Sequence, residues 1–259
     1  MTMVPSPLVQ GLIATALDAG RAIMAIYGTD FTAREKSDLT PVTEADEAAE
    51  RVILAALAKR DGKTPVISEE AAAAGRIPKV SNRFYLVDPL DGTKEFISRN
   101  GEFTVNIALI EDGVPVAGVV HAPALGRVFW GERGTGAAQG RLQPDESVEF
   151  TAITVRSLPA SGATVVASRS HRDAATDAYL KTIKLKSLAS AGSSLKFCLI
   201  AAGEADLYPR FGRTMEWDTA AGHAVLLAAG GKVLTTEGAP LSYGKCECGF
   251  DNPGFIASA

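Results

Sequence analysis

Two aspartates three positions apart, Asp88 and Asp91, follow an apolar run and form the most chemically suggestive stretch of the chain. The run is Phe-Tyr-Leu-Val at residues 84–87, and it predicts a buried strand. Pro89 is predicted to stop further ladder pairing, and Gly92 permits a tight turn. Two carboxylates on a stiff turn after a core strand suit a hard divalent cation. A solvated turn without chemistry is the alternative, but it does not explain why both acids follow a buried strand.

Three further acids stand where a predicted strand ends or a predicted helix begins. Glu69 ends a short apolar run, Asp218 opens a predicted helix, and Asp46 lies in the first turn of a helix that Thr43 can cap. Such ends converge in layered α/β folds. Clustered carboxylates repel one another unless a cation holds them. Helix capping explains Asp46 and Asp218 without a metal, because the helix dipole favours acids at an N-terminus.

The pattern of elements predicts an α/β fold with α+β layers. A helix is expected over residues 7–27, a second from 44 to about 60, and a hairpin over 104–122. Strands alternate with helices between residues 164 and 235, which is typical of an α/β layer. The glycine-rich residues 131–140 are predicted to form a loop. The polar stretch that follows them predicts two sub-domains, 1–145 and 146–259.

Composition limits the classes of partner. The chain has 259 residues, of which 46% are hydrophobic, so it can bury a substantial core as one large domain or two ordinary ones. The net charge of −4 argues against a nucleic-acid polymer as partner, because such proteins carry a basic footprint. A small phosphorylated substrate remains compatible with this charge, because bound metal ions supply positive charge.

The cysteines and the N-terminal residues favour a cytoplasmic location. Three cysteines do not form a disulfide framework, which indicates a reducing compartment. Cys246 and Cys248 could suggest a soft-metal site, but no second pair or nearby histidine completes a tetrahedral set, so ordinary thiols are the preferred interpretation. Asp18 and Arg21 interrupt the first apolar stretch, so neither a signal peptide nor a membrane span is predicted.

Four motifs together resemble the signatures of the inositol monophosphatase superfamily. In chain order they are Pro41-Val-Thr-Glu-Ala-Asp46, Ser68-Glu-Glu70, Asp88-Pro-Leu-Asp-Gly-Thr93 and Trp217-Asp-Thr-Ala-Ala-Gly222. Their order and spacing agree with the family over nearly the whole chain. The resemblance implies an αβαβα sandwich with two sub-domains and a Mg²⁺-dependent, lithium-sensitive phosphomonoesterase.

Four other segments narrow the resemblance to one subfamily. They are Lys94-Glu-Phe96, Ser168-Arg-Ser-His171, Gly192-Ser-Ser-Leu-Lys196 and Asp206-Leu-Tyr-Pro-Arg210. This set is similar to the 3′(2′),5′-bisphosphate nucleotidases of the sulfate-assimilation type, which implies hydrolysis of adenosine 3′,5′-bisphosphate to AMP and phosphate. An inositol monophosphatase or broad sugar phosphatase is the alternative within the class. A non-catalytic nucleotide or metal sensor with the same fold is the alternative outside it. Monomers and homodimers both occur in the family.

The resemblance also implies roles for individual residues. The implied Mg²⁺ ligands are Glu69, Asp88, the carbonyl of Leu90, Asp91 and Asp218. Glu69, Asp88 and Leu90 would hold one ion, and Asp88, Asp91 and Asp218 a second, so that Asp88 bridges the two. Whether a third ion binds during turnover is left open. Thr93 would accept a proton from the metal-activated water while donating its own towards Asp46. A hydroxyl can donate and accept at once, so it can orient a water in this way.

The expected substrate contacts combine the metal motifs with a second group of residues. They are Glu69, Leu90, Asp91, Gly92, Thr93, Asp218, Lys36, Arg169, His171, Ser193, Ser194 and Lys196. Ser193 and Ser194 at a predicted helix N-terminus could hold a phosphate through hydroxyl and backbone N–H groups, with plain helix capping as the alternative. The alternative for His171 is a surface loop residue without a ligand. The alternative for Lys36 and Lys196 is a solvated charge.

Overall fold

The computed structural model describes residues 3–35, 41–168 and 173–259. Within these ranges the α-helices are α1 (Pro7–Tyr27), α2 (Glu44–Asp61), α3 (Glu69–Ala73), α4 (Thr93–Ile97), α5 (Ala174–Leu180), α6 (Leu195–Ala201) and α7 (Glu216–Ala228). The strands are β1 (Ala33–Glu35), β2 (Pro41–Thr43), β3 (Val66–Ser68), β4 (Arg83–Asp91), β5 (Thr104–Glu111), β6 (Val114–Ala122), β7 (Arg127–Glu132), β8 (Gly136–Leu142), β9 (Val148–Ile153), β10 (Ala163–Ser168), β11 (Leu185–Ala191), β12 (Leu207–Arg210), β13 (Lys232–Thr235) and β14 (Phe255–Ser258).

The first sheet has seven strands in the order β3-β4-β5-β6-β7-β8-β9. Strands β3 and β4 are parallel, and every later neighbouring pair is antiparallel. The boundary predicted between residues 145 and 146 falls in the turn between β8 and β9, which pair with each other. The first sheet therefore continues past that boundary to Ile153. Division into two sub-domains stays a prediction, and its boundary would follow β9.

The second sheet and the helices complete a five-layer sandwich. The second sheet has the order β11-β10-β12-β14-β13, and β1 pairs with β2 as a separate hairpin. Helices α1 and α2 pack on one face of the first sheet, and α6 and α7 lie between the sheets. Side chains alternate along β10, so Val166 joins the core around α6 and α7 while Val165 packs with Leu180 of α5 on the other face. The predicted αβαβα architecture is confirmed.

Local signals set the ends of the two N-terminal helices. Ser6 caps α1, its Oγ accepting a hydrogen bond from Val9 N at 3.3 Å, with Pro7 at the first helical position. Thr43 and Asp46 form a reciprocal capping box at the start of α2. Both helices begin where the sequence predicts.

The loop predicted over residues 131–140 is wrong, because most of this segment belongs to β7 and β8. Gly131 in β7 and Gly118 in β6 reflect close packing against α7. A Cβ added at Gly131 would lie 2.5 Å from Val225 Cα, and one at Gly118 in β6 would lie 2.6 Å from Ala221 O. Glycine in these strands lets α7 approach the first sheet closely enough to bring its N-terminus to the end of β4.

Helix α1 is long and apolar enough to cross a membrane by length and composition, and no other helix of the described residues is. Its buried side chains, including Leu12, Ala16 and Ile23, belong to the core between α1, α2 and the first sheet. A core helix commonly passes the same test of length and composition.

Candidate active site

A bulge in β4 places the two central aspartates together. Asp88 pairs with Asn106 of β5 and Asp91 with Thr104, so β4 spans three residue steps where β5 spans two. Side chains three apart in a regular strand point to opposite faces, and one extra residue restores them to the same side. Pro89 lies inside this bulge, where a missing N–H is tolerated. The prediction that Pro89 stops ladder pairing is therefore wrong, because pairing resumes at Asp91. Both aspartates line one cleft with a volume of about 210 Å³.

Two neighbouring elements bring further carboxylates to this cleft. Strand β3 runs parallel to β4 and ends at Ser68, so Glu69 opens α3 beside Asp88. Helix α7 presents Asp218 in its first turn. One oxygen each from Glu69, Asp88 and Asp218 lie within 4.8 Å of one another. Asp91 lies outside this group of three but lines the same cleft.

Glu50 of α2, which the sequence analysis did not single out, holds the turn that carries Glu69. Its Oε1 accepts hydrogen bonds from Ser68 Oγ at 2.6 Å and from Ala71 N at 2.9 Å. These bonds join α2 to the start of α3. Glu69 therefore lies on a turn fixed at both ends by a buried carboxylate.

Burial makes the negative charge in this cleft costly. It raises the pKa of Asp218 well above its usual value, and the nearby carboxylates of Asp91 and Glu69 raise it further. Burial also raises the pKa of Asp91 to about 6, although the Lys196 ammonium opposes the shift. A cation at the cluster relieves this repulsion. The donors are all hard oxygens, so this set of residues fits Mg²⁺.

Asp46 caps α2 and also accepts a hydrogen bond from Thr93, while its catalytic role stays a prediction. Its Oδ2 accepts hydrogen bonds from Thr43 N at 2.8 Å and Thr43 Oγ1 at 2.7 Å, which completes the helix cap. Its Oδ1 accepts a hydrogen bond from Thr93 Oγ1 at 3.2 Å. The cap thus fixes a buried carboxylate against the hydroxyl of Thr93, which lines the cleft.

Asn106 is a second positioning residue that sequence reasoning missed. This buried β5 side chain donates through Nδ2 to Asp91 Oδ2 at 3.1 Å and to Ser194 Oγ at 3.0 Å. It opposes Asp88 across the β4–β5 ladder. An asparagine within an apolar strand was the available signal, since a buried amide requires partners.

Ser194 links Asp91 to Asp218 and does not line the cleft. Its N–H donates to Asp91 Oδ2 at 2.7 Å, and its Oγ donates to the backbone carbonyl of Asp218 at 2.6 Å. The side chain is 1% exposed. The predicted substrate contact of Ser194 stays a prediction. Plain capping is wrong for it, because its side chain makes no cap hydrogen bond to α6.

Ser193 fastens the loop before α6 to the segment that carries Asp91. Its Oγ lies 2.7 Å from Asp91 O and 2.9 Å from Glu102 O, and the residue has a positive φ of 51°. Gly92, with φ of 93°, provides the space, because a Cβ there would lie 2.4 Å from Ser193 Oγ. Ser193 and Gly92 both line the cleft.

Two buried cations line the same cleft. Lys196 Nζ donates to Ser193 O at 2.6 Å and lies 5.1 Å from the centre of the Tyr208 ring. Burial lowers the pKa of Lys196 to about 8, although Asp91 opposes the shift. The guanidinium of Arg210 donates to the backbone carbonyls of Gly212 and Arg213. Lys196 is thus not the solvated charge of the alternative interpretation.

Most of the residues predicted to contact substrate line the cleft, and three lie outside the described residues. Glu69, Leu90, Asp91, Gly92, Thr93, Ser193, Lys196 and Asp218 line the cleft. Leu90 is buried, and its carbonyl lies 3.4 Å from Thr93 Oγ1. Lys36, Arg169 and His171 lie outside the described residues, so their predicted contacts stay predictions.

Comparison with known sequences agrees with the motifs. Residues 5–258 match the inositol monophosphatase family. The 3′(2′),5′-bisphosphate nucleotidase CysQ of Escherichia coli (strain K12) is 49% identical over 245 residues, covering 94% of this chain and 96% of the relative. The protein of the same name from Aggregatibacter actinomycetemcomitans is 35% identical over 262 residues, covering 99% and 94%.

Solved structures with the same fold support this grouping. The crystal structure of CysQ from Bacteroides thetaiotaomicron superposes with a TM-score of 0.80 at 37% identity, covering 97% of this chain and 96% of that one. The inositol monophosphatase from Anabaena (Nostoc) sp. PCC 7120 has a TM-score of 0.75 at 24% identity, covering 97% and 90%, and supports the fold alone. The predicted resemblance is confirmed: this chain is a member of the inositol monophosphatase family.

Proposed function

We propose that this chain is a Mg²⁺-dependent 3′(2′),5′-bisphosphate nucleotidase that converts adenosine 3′,5′-bisphosphate to AMP and phosphate. Relatives of that name match the chain over nearly its full length, at up to 49% identity among those described above. The observation that carries the proposal is the composition of one cleft. It combines the carboxylates of Glu69, Asp88, Asp91 and Asp218 with the cations of Lys196 and Arg210. A substrate with two phosphates suits a cleft that offers a metal site and separate cationic donors.

The acidic residues would hold the metal. Glu69, Asp88 and the carbonyl of Leu90 are assigned to one Mg²⁺, and Asp88, Asp91 and Asp218 to a second. An ion held by these residues would supply positive charge to the scissile phosphate and would lower the pKa of the attacking water. The presence of two ions, or of a third, stays a prediction. The raised pKa values of Asp91 and Asp218 support the assignment, because these carboxylates gain most from a neutralising cation.

Thr93 and Asp46 would act on the water. The Thr93 hydroxyl donates to Asp46 Oδ1, which leaves its oxygen lone pairs available to accept a proton from the water. Thr43 occupies the other oxygen of Asp46, so the carboxylate is held in one orientation. In this scheme the water oxygen would bond to phosphorus as the bond between phosphorus and the 3′-oxygen breaks. AMP would leave with the 3′-oxygen, which takes up a proton to become a hydroxyl, and no covalent phospho-enzyme is required.

Cationic residues would hold the second phosphate. Lys196 is buried and partly protected from water, so its charge is less screened than that of a surface lysine. A remote phosphate held there aligns the reacting phosphate and raises kcat/KM. Arg169 is a second candidate for this role; it follows the cleft residue Ser168 in the sequence and lies outside the described residues.

The substrate assignment predicts a preference of measurable size. One charge-assisted contact contributes about 1.5–3 kcal/mol, a factor of about 10 to 150. Removing the 5′-phosphate should lower kcat/KM by that factor. The kcat/KM for adenosine 3′,5′-bisphosphate should therefore be higher than the values for 3′-AMP and inositol 1-phosphate. The measurement is phosphate release from the three substrates at one Mg²⁺ concentration. Lys196→Ala should remove the difference between the two nucleotides if Lys196 binds the 5′-phosphate, and Arg169→Ala should do so if Arg169 does.

Two results would change the assignment. An equal or higher kcat/KM for inositol 1-phosphate would favour an inositol monophosphatase, and the metal site would stand. Nucleotide binding without phosphate release from any ester would favour a non-catalytic sensor. We also propose that the protein is cytoplasmic and that it acts in sulfate assimilation.

A further inference from the structure

Glu216 is a fully buried carboxylate two residues before Asp218, at the first position of α7. It does not line the cleft. Its Oε2 accepts a hydrogen bond from Gly244 N at 2.7 Å, and its Oε1 accepts one from Lys245 N at 2.9 Å. Lys245 Nζ lies 2.7 Å from the same Oε1. Three donors from one turn therefore hold the carboxylate that begins α7.

Asn252 ties the same turn to the residues around Glu216. Its Nδ2 donates to Met215 O at 2.8 Å and to Thr219 Oγ1 at 3.1 Å. Its Oδ1 accepts a hydrogen bond from Lys245 Nζ at 3.3 Å. Lys245 thus contacts both side chains that grip the first turn of α7.

These contacts reach Asp218 through the backbone of Met215. The Met215 carbonyl is held by Asn252, and its N–H donates to Asp218 Oδ2 at 2.9 Å. A shift of the first turn of α7 would move this N–H and the carboxylate together. The turn holding Glu216 lies outside the cleft, so its contacts reach Asp218 without touching anything bound there.

We propose that Glu216, Lys245 and Asn252 form a clamp that positions Asp218 for Mg²⁺ binding. The inference rests on the proposed function, because it takes Mg²⁺ as the ion that Asp218 binds. A ligand held in place before binding loses less freedom when the ion arrives. Groups that orient a metal ligand typically affect metal affinity or activity by about 10- to 100-fold. Purely structural capping by Glu216 would change stability and leave Mg²⁺ affinity unaltered.

The test is a calorimetric Mg²⁺ titration of metal-free wild-type protein, Glu216→Gln and Lys245→Met. Glu216→Gln removes the negative charge and replaces one acceptor oxygen by an NH₂ group, which cannot accept a hydrogen bond from the backbone N–H opposite it. The Mg²⁺ Kd of this variant should therefore rise about 10- to 100-fold. Lys245→Met retains both backbone donors, so its Kd should rise less. Saturating Mg²⁺ should return kcat of both variants close to the wild-type value.

Asp206→Asn provides a matched control. Asp206 is also buried, pairs with Arg156 at 2.7 Å and accepts a hydrogen bond from Thr164 N at 2.7 Å, but it lies at the second sheet outside the cleft. This variant should lose thermal stability and keep the wild-type Mg²⁺ Kd.

Three outcomes would overturn the inference. An unchanged Mg²⁺ Kd in Glu216→Gln, with wild-type binding normal, would contradict the clamp alone. If Glu216→Gln does not fold, an unchanged Kd in Lys245→Met would do the same. Absence of Mg²⁺ binding by the wild-type protein would overturn the metal site, and the clamp with it.

Discussion

Replacing Asp91 by asparagine should abolish phosphate release while leaving the fold intact. The amide oxygen of asparagine can keep the place of Asp91 Oδ2, which accepts hydrogen bonds from Ser194 N and Asn106 Nδ2. The negative charge that would bind Mg²⁺ is lost, so activity should be undetectable at the Mg²⁺ concentration that saturates the wild-type protein. Phosphate release and calorimetric Mg²⁺ binding are the measurements.

The same variant has a predictable effect on stability without metal. The pKa of Asp91 is raised from 3.8 to about 6 in the folded protein, so the folded state binds more protons than the unfolded state between these values. This contribution stabilises the wild-type protein at low pH and is lost as pH rises through about 6. The metal-free Tm of Asp91→Asn at neutral pH should therefore equal or exceed that of the wild-type protein.

An exposed acid provides the control for Asp91. Asp145 lies in the turn between β8 and β9, and Asp145→Asn should keep wild-type activity and Mg²⁺ affinity. Near-wild-type turnover of Asp91→Asn at low Mg²⁺ would contradict its assignment as a metal ligand.

Replacing Thr93 by alanine should lower kcat by about 10²–10⁴-fold, the usual contribution of a positioned proton acceptor. The Thr93 side chain is not assigned to the metal, so Mg²⁺ affinity should change little. The variant removes the hydroxyl that bridges the cleft and Asp46 Oδ1. Steady-state kinetics at saturating Mg²⁺, with calorimetry for the ion, separate the two effects.

Thr93→Ser is the matched control, because it keeps the hydroxyl and removes one methyl group. It should retain most of the wild-type kcat. Full kcat in Thr93→Ala, or loss of Mg²⁺ binding in that variant, would show that Thr93 has a different role.

Local sequence signals were sufficient where one segment determines its own structure. The apolar residues 84–87 predict a buried strand that leads into Asp88, and the structure extends this strand to Asp91. Ser6 and Thr43 predicted helix starts, because capping depends on residues within one turn. The convergence of Glu69, Asp88 and Asp218 was expected from strand and helix ends in a layered fold, and the structure brings these three carboxylates together.

Contacts between distant segments could not be predicted in the same way. The glycine-rich residues 131–140 predict a loop, but Gly131, like Gly118 in the predicted hairpin, allows α7 to pack closely against its strand. The place of Ser194 before a helix predicts a phosphate contact, but a single sequence does not show that its polar atoms bond to Asp91 and Asp218. Asn106 received no role, since its partners lie on other elements.

Phosphate release from adenosine 3′,5′-bisphosphate, with and without Mg²⁺, tests the central claim most directly. Wild-type protein stripped of divalent ions with a chelator should release no phosphate, and added Mg²⁺ should restore release. Asp91→Asn should remain inactive under both conditions. Full turnover in the chelator, or no release from this substrate at saturating Mg²⁺, would contradict a Mg²⁺-dependent bisphosphate nucleotidase.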